Sequence, residues 1–272
     1  MEKVILEKKE KHILWSENYL LTQGYSREII DKYFYVDNDL VKKAAESLFC
    51  KIVKNKKKER KALLLFGQPG SGKSTYIKNN ASDFVVLDLD EFRLYHPYKE
   101  DIVSVIEANH SNNILPVENT KGRDFTNFTR RFIGLVFDML LDKCVSEGYN
   151  VAMQKHASSY SDLESLFKFL VVNNYHTTFV SVVVSARTSW ERCVKRNELN
   201  NMTLNTVSKD FHDNYINNMP QTIIDFILHY VYEQEYIENF KILSGENVIN
   251  IDKTSKIDIN YINQFVRDAL LS

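Results

Sequence analysis

Residues Gly67-Gln68-Pro69-Gly70-Ser71-Gly72-Lys73-Ser74, with Thr75 next, fit the phosphate-binding loop pattern G-x-x-x-x-G-K-[ST]. In such a loop the backbone N–H groups cradle a chain of phosphates. The lysine reaches the β and γ groups, and the serine hydroxyl is a ligand for Mg²⁺. The apolar run Ala62-Leu63-Leu64-Leu65-Phe66 enters the loop and a helix-competent stretch leaves it, which is the context the motif needs. A nucleoside triphosphate, ATP or GTP, is therefore the expected ligand, with Mg²⁺ on Ser74.

Phosphoryl transfer to a hydroxyl also needs a carboxylate near the γ-phosphate to accept or orient the attacking proton. The second apolar run ends in Leu87-Asp88-Leu89-Asp90-Glu91-Phe92-Arg93-Leu94-Tyr95-His96-Pro97. Asp90, at the carboxyl end of a strand, fits that base; alternation along the strand puts Asp88 on the same side but further back. On spacing alone Asp90 fits a helix N-cap equally well, since aspartate is favoured there. Farther along, Arg192 and Arg196 are four apart and share a helix face, a spacing that aims two guanidinium groups at one phosphate tail. Arg192 also has an ordinary reading, as a surface ion pair with Glu191 or Glu198.

Positioning these groups calls for a layered α/β scaffold. From Lys61 onward, strand-like runs at Ala62–Phe66, Phe84–Leu89, Asn150–Gln154 and Thr178–Val184 alternate with helical stretches at Thr75–Asn80, Asp124–Ser146, Ser161–Asn173 and Ser189–Asn197. This predicts a P-loop type α/β fold, a parallel sheet with helices on both faces. Ligands bind such sheets beyond the carboxyl ends of the strands. Residues 1–60 have helical periodicity and read as an N-terminal extension to a catalytic domain over 61–272. The tail reads as two small strands, Lys241–Leu243 and Val248–Asp252, and a closing helix, Ile257–Leu271. The Asn-rich patches at 109–113 and 197–205 read as surface loops.

Composition narrows the partners. The 35 Lys plus Arg are balanced by 36 Asp plus Glu, so the overall charge gives no case for nucleic acid or membrane. One basic run, Lys51, Lys54, Lys56, Lys57, Lys58, Arg60 and Lys61, stands against that balance; it reads as a solvated helix end and linker, or as a phosphate-backbone contact. Cys50, Cys144 and Cys193 are scattered, which excludes a disulfide framework or a zinc site. With no apolar signal core in Met1–Lys9 and no run of about 18 apolar residues, a soluble, cytoplasmic protein is expected.

The loop together with Asp-x-Asp-x-Phe-Arg-x-x-His-Pro resembles the zeta toxins, P-loop kinases of bacterial toxin–antitoxin pairs, several of which phosphorylate UDP-N-acetylglucosamine. The resemblance spans roughly residues 60–255 and is specific in its first third. It implies Lys73 and Ser74 on phosphates and Mg²⁺, Asp90 as catalytic base, Asp138 as a substrate-binding acid and Arg196 as a phosphate-stabilising arginine. A second such arginine is missing, with Asn205 nearest its place and Lys209 as a substitute. Arg93 and His96-Pro97 match the family pattern too; His96 reads as a packing or capping residue.

The family's Glu-Gly-Thr-x-Arg stretch is here Gln154-Lys155-His156-Ala157-Ser158. Gln154 keeps hydrogen-bonding capacity without charge, and Ser158 lacks the bidentate contacts of an arginine. Gln154 and His156 are nonetheless the expected contacts to the acceptor, with Arg93. The resemblance thus implies an ATP- or GTP- and Mg²⁺-dependent kinase acting on a hydroxyl of a small nucleotide-like metabolite, UDP-N-acetylglucosamine being the family's substrate, with a small antitoxin as partner. Two alternatives stay open: a kinase of a nucleoside, dinucleotide or polynucleotide 5′ end, and a nucleotide-binding module without transfer.

Overall fold

The fold is a computed structural model that describes residues 2–112, 120–155, 161–198, 207–228, 237–252 and 255–272. In chain order the elements are α1 (Glu2–Thr22), α2 (Arg27–Phe34), α3 (Asn38–Ile52), β1 (Lys61–Phe66), α4 (Lys73–Asn80), β2 (Val85–Leu87), α5 (Leu89–Phe92) with a 3₁₀ turn at Arg93–Tyr95, α6 (Lys99–Asn112) and α7 (Thr120–Ser146). Then follow β3 (Val151–Lys155), α8 (Ser161–Val172), β4 (His176–Val182), α9 (Ala186–Glu198), α10 (Lys209–Phe226), β5 (Ile237–Ser244), β6 (Asn247–Ile251) and α11 (Ile259–Leu271). They form two compact units. One gathers Met1–Ile52, Asp88–Asp142 and Arg196–Thr206; the other gathers Val53–Leu87, Lys143–Lys195 and Val207–Ser272.

The second unit holds a six-stranded sheet in the order β2-β3-β1-β4-β5-β6. Strand β1 lies between β3 and β4, parallel to both, and Ala62 through Phe66 are all buried. A strand covered on both faces has no polar side, hence the unbroken apolar run. Leu63 and Leu65 pack with Ile77 and Ala81 on one face. On the other, the Phe66 ring lies 5.9 Å from Phe226 of α10 and 5.8 Å from Phe240 of β5. Strand β6 runs antiparallel to β5, so the sheet is mixed, not wholly parallel as expected. Only Gly245 and Glu246 separate Ser244 from its partner Asn247, enough for a hairpin and far too few for a crossover.

The first unit is helical. Leu20, Ile30 and Phe34 from the N-terminal helices and Tyr25 from the turn between α1 and α2 share a core with Ile102, Ile106, Phe125 and Phe128 of α6 and α7. At its centre the fully buried Asp124 accepts hydrogen bonds from the hydroxyls of Tyr19 at 2.8 Å and Tyr25 at 2.6 Å, and meets His110 Nε2 at 2.9 Å. Such saturation lets a carboxylate stay buried. The expected loop at 109–113 is corrected here: Asn109 belongs to α6 and its amide donates to the Gln23 carbonyl at 3.0 Å, a tertiary contact that offsets asparagine's poor helix propensity. Of the other Asn-rich patch, 199–205 lies outside the described residues.

Candidate functional site

The phosphate-binding loop leaves the carboxyl end of β1 and turns into α4 at Gly72. Two glycines are dictated by close approach. A methyl at Gly67, where φ is +152°, would meet the Val182 carbonyl oxygen at 2.3 Å; one at Gly70, at φ +74°, would meet that of Ser189 at 2.4 Å. Gln68 is buried, and its amide donates to the Val184 carbonyl, pinning the loop to the segment after β4. Lys73 is buried too, its ammonium donating to the carbonyls of Gly67 at 2.8 Å and Gln68 at 2.9 Å. The expected lysine, serine and glycines thus occupy one strand–loop–helix turn.

Sequence reading assigned Gln154 to the acceptor. Parallel pairing sets Leu65 beside Gln154, and the Gln154 Oε1 accepts a hydrogen bond from Ser74 Oγ at 3.0 Å. A hydroxyl and an amide oxygen side by side are hard ligands of the kind Mg²⁺ takes while keeping several waters. Arg192 is a second group whose place differs from a simple expectation. Its Nη1 donates to the Gly70 carbonyl at 3.1 Å, and the surface ion pair on this helix is Arg187 with Glu191, at 2.8 Å. The ion-pair reading of Arg192 is corrected accordingly: the four-residue step from Glu191 back to Arg187 takes that acid, and Arg192 turns toward the loop. His156, Ala157 and Ser158 lie outside the described residues.

Around Asp90 the sequence reading shifts by two positions. Strand β2 stops at Leu87, and Asp88, not Asp90, caps α5, its Oδ1 accepting from the Asp90 N–H at 2.9 Å. Asp90 therefore sits in the first turn of α5, freed from the capping role. Its Oδ1 meets Arg93 Nε at 3.2 Å; the Asp90 side chain is 47% exposed and that of Arg93 only 7%. Arg93 Nη1 also donates to the Thr126 carbonyl and to Thr129 Oγ1, each at 2.9 Å. So α7 holds a guanidinium, which holds one oxygen of a half-exposed carboxylate. Burial, and then the neighbouring Asp90 charge, raises the pKa of Asp88. Burial lowers that of Arg93, against the opposing pull of Asp90.

Other expected residues are placed apart from these. Asp138 is half-buried on α7, nine positions after Thr129, hence about 180° around the helix and about 13 Å along it. The Arg196 Nε is buried without a hydrogen-bond partner among the described residues. Lys209 pairs with Asp213 and lies 5.5 Å from the Trp190 ring centroid. His96 packs: its ring meets Phe132 edge-on at 4.7 Å, its Nδ1 accepts from the Tyr98 N–H at 3.2 Å, and burial pushes its pKa down to about 4. Within the basic run, Lys57 pairs with Asp83 at 2.6 Å, Lys58 with Glu147 at 3.1 Å and Lys61 with Glu59 at 3.2 Å. The three cysteines are free, and no cluster of metal-ligating side chains occurs among the described residues. No described helix is long and apolar enough to cross a membrane.

The Zeta toxin family model matches residues 46–241 of the 272-residue chain. The chain belongs to the zeta toxin family. Toxin zeta of Enterococcus hirae is 25% identical over 170 residues, 60% of this chain and 54% of that protein. Toxin PezT of Streptococcus pneumoniae serotype 4 (strain ATCC BAA-334 / TIGR4) is 23% identical over 174 residues, 61% of this chain and 63% of that one. This zeta toxin family member therefore spans less than two thirds of the length of these curated relatives.

In fold it is similar to a structure from the PezAT chromosomal toxin–antitoxin system of Streptococcus pneumoniae, with a TM-score of 0.65 at 18% identity over 86% of this chain and 88% of that one. It is also similar to AvrRxo1-ORF1:-ORF2 with ATP, with a TM-score of 0.58 at 9% identity over 94% of this chain and 77% of the other. The α/β P-loop architecture of the zeta toxins is thus the architecture of this chain.

Two groups escaped the sequence reading. Arg192 was visible only as half of a four-residue arginine pair, and its contact to Gly70 depends on where β4 delivers α9. Thr126 and Thr129 sit at a three-residue step on one helix face, a pattern that signals nothing until Arg93 is seen between them.

Proposed function

We propose that this zeta toxin family member is a kinase that transfers the γ-phosphoryl group of ATP or GTP to a hydroxyl of a small nucleotide-like metabolite, with UDP-N-acetylglucosamine the first acceptor to test. The observation that carries this reading is Asp90: a half-exposed carboxylate outside any capping role, oriented by a buried arginine that two α7 threonines fix in place. Asp90 takes the proton of the attacking hydroxyl, and Arg93 keeps its Oδ1 engaged so that Oδ2 faces the acceptor. Lys73 and the backbone N–H groups from Gly67 to Thr75 bind the phosphates. Arg196 and Arg192 stabilise charge on the transferred group, while Gln154, His156 and Arg93 contact the acceptor. Ser74 and Gln154 would hold Mg²⁺, which when bound neutralises phosphate charge.

In this reading residues 61–272 form the kinase region, residues 1–60 precede it as a helical extension, and the protein works in the cytoplasm with an antitoxin as partner. The toxin–antitoxin description of the PezAT relative supports that last expectation. Asp90→Asn should slow transfer from γ-labelled ATP to a metabolite extract by about 10²–10⁴ while ATP binding survives; undiminished labelling would sink the assignment. A second reading, a nucleotide-binding module without transfer, is favoured by the uncharged Gln154 beside Ser74 and by the engagement of Lys209 with Asp213. It predicts ATP binding and no labelled product from the parent protein. The pairing of Lys57, Lys58 and Lys61 with acids weighs against a polynucleotide acceptor.

A further inference from the structure

Helix α7 carries a cation that the reading above does not use. Arg130 follows Thr126 by four positions, so it stands about 40° around the helix from the residue whose carbonyl holds Arg93. Its guanidinium carbon lies 5.4 Å from the centroid of the Trp15 ring. Arg123, two turns earlier on α7, lies 5.7 Å from the same ring and 4.7 Å from that of Tyr19. The Nε of Arg130 is buried without a hydrogen-bond partner, and among the described residues neither arginine forms an ion pair.

The acids of this unit that might have neutralised the pair are occupied. Asp124 serves Tyr19, Tyr25 and His110; Glu17 serves Arg27 and Tyr35; Asp90 serves Arg93. A buried charged donor without a partner costs folding free energy, on the order of 1–3 kcal/mol or more. Burial first, then the charges of Arg93 and Arg123, pushes the Arg130 pKa down to about 10, so it stays protonated at neutral pH in a strained setting. Two cations without a carboxylate match a dianion, and a guanidinium fork suits phosphate oxygens in a bidentate contact. Trp15, 46% exposed, adds a flat apolar wall beside them.

We propose that Arg130, with Arg123 and the Trp15 ring, forms a subsite that binds a phosphate group already present on the acceptor. The Asp90–Arg93–Thr126 connection sets this subsite on the same stretch of α7 that orients the proposed base. Calling the ligand an acceptor rests on the kinase reading; phosphate binding at Arg130 does not, and is measured without transfer.

The test uses the full chain with Trp190→Phe, leaving Trp15 as its only tryptophan, and Lys73→Ala, which silences the phosphate-binding loop. Inorganic pyrophosphate is titrated against Trp15 fluorescence, with citrate as a carboxylate counterpart. A saturable response to pyrophosphate is expected, weakened about tenfold or more by Arg130→Gln and by Arg123→Gln, and unchanged by the exposed charge control Arg187→Gln. Arg123 is exposed, so its variant decides the matter even where Arg130→Gln does not fold. No response in the parent, the parent's affinity retained in the Arg123 and Arg130 variants, or citrate binding as tight as pyrophosphate would overturn the assignment. If Asp90→Asn keeps transfer while pyrophosphate binding still depends on Arg130, the base fails and the subsite stands; the converse pair of results separates them the other way.

Discussion

Arg93→Met probes the link between the α7 helix and the proposed base. The substitution removes two buried hydrogen bonds, to the Thr126 carbonyl and Thr129 Oγ1, and one contact to Asp90. A hydrogen bond from a charged donor contributes about 1.5–3 kcal/mol. The Asp90 contact deserves far less, at most about 1 kcal/mol, because that carboxylate is half in water. Against these losses stands the relief of desolvating a buried guanidinium, and Thr129 Oγ1 keeps its bond to the Phe125 carbonyl at 2.8 Å. A net loss of about 2–3 kcal/mol in urea unfolding is expected.

The effect on transfer should be disproportionate. Without Arg93 the Asp90 side chain samples several rotamers, and loss of alignment at a reacting group lowers kcat about 10- to 100-fold. The ATP dissociation constant should stay within about twofold, because no loop residue is altered. Thr129→Val supplies the contrast, removing one acceptor and sparing the Asp90 contact; it should cost about 1 kcal/mol with little change in kcat. A folded Arg93→Met protein with the parent's kcat would refute the positioning argument, and a Thr129→Val protein as impaired as Arg93→Met would reduce Arg93 to a scaffold residue.

Gly70→Ala should abolish ATP binding, since its methyl would fall 2.4 Å from the Ser189 carbonyl oxygen at φ +74°; retained affinity by calorimetry would contradict this geometry. Gln154→Glu puts a charge beside Ser74 and should lower the Mg²⁺ concentration needed for half-maximal nucleotide binding by about tenfold; no shift would show that Gln154 does not face the ion. His96, with its pKa lowered from 6.5 to about 4, stays neutral in the folded state while the unfolded chain takes up a proton, so stability is full above about pH 6.5 and falls as pH drops toward 4, by up to about 3 kcal/mol. His96→Asn should flatten that acid limb, and an identical slope in urea midpoints between pH 4.5 and 7 would count against it.

The phosphate-binding loop was legible because its geometry is local. Eight consecutive residues and a fully apolar strand fix a loop without reference to the rest of the chain. The contact of Gln154 with Ser74 was not legible because it depends on register: only with β3 beside β1 and Leu65 opposite Gln154 does the amide reach Ser74. The two-residue shift at Asp90 has a local cause, since the Asp88 side chain ends the strand by capping α5. Alternation assumed a strand still running. Helix α6 was hidden by its asparagines, whose low propensity is offset by the contact from Asn109 to Gln23. Nothing in the sequence around Arg130 marked it out either, because an unpaired cation is defined by which acids are occupied elsewhere.

The most direct test of the kinase account is single-turnover transfer from γ-labelled ATP to the metabolite extract, with parent and Asp90→Asn proteins compared in parallel with ATP binding. The account predicts a labelled product from the parent, a rate lower by about 10²–10⁴ in the variant, and equal ATP affinity in both. Equal transfer rates, or a parent that binds ATP and labels nothing, would contradict it.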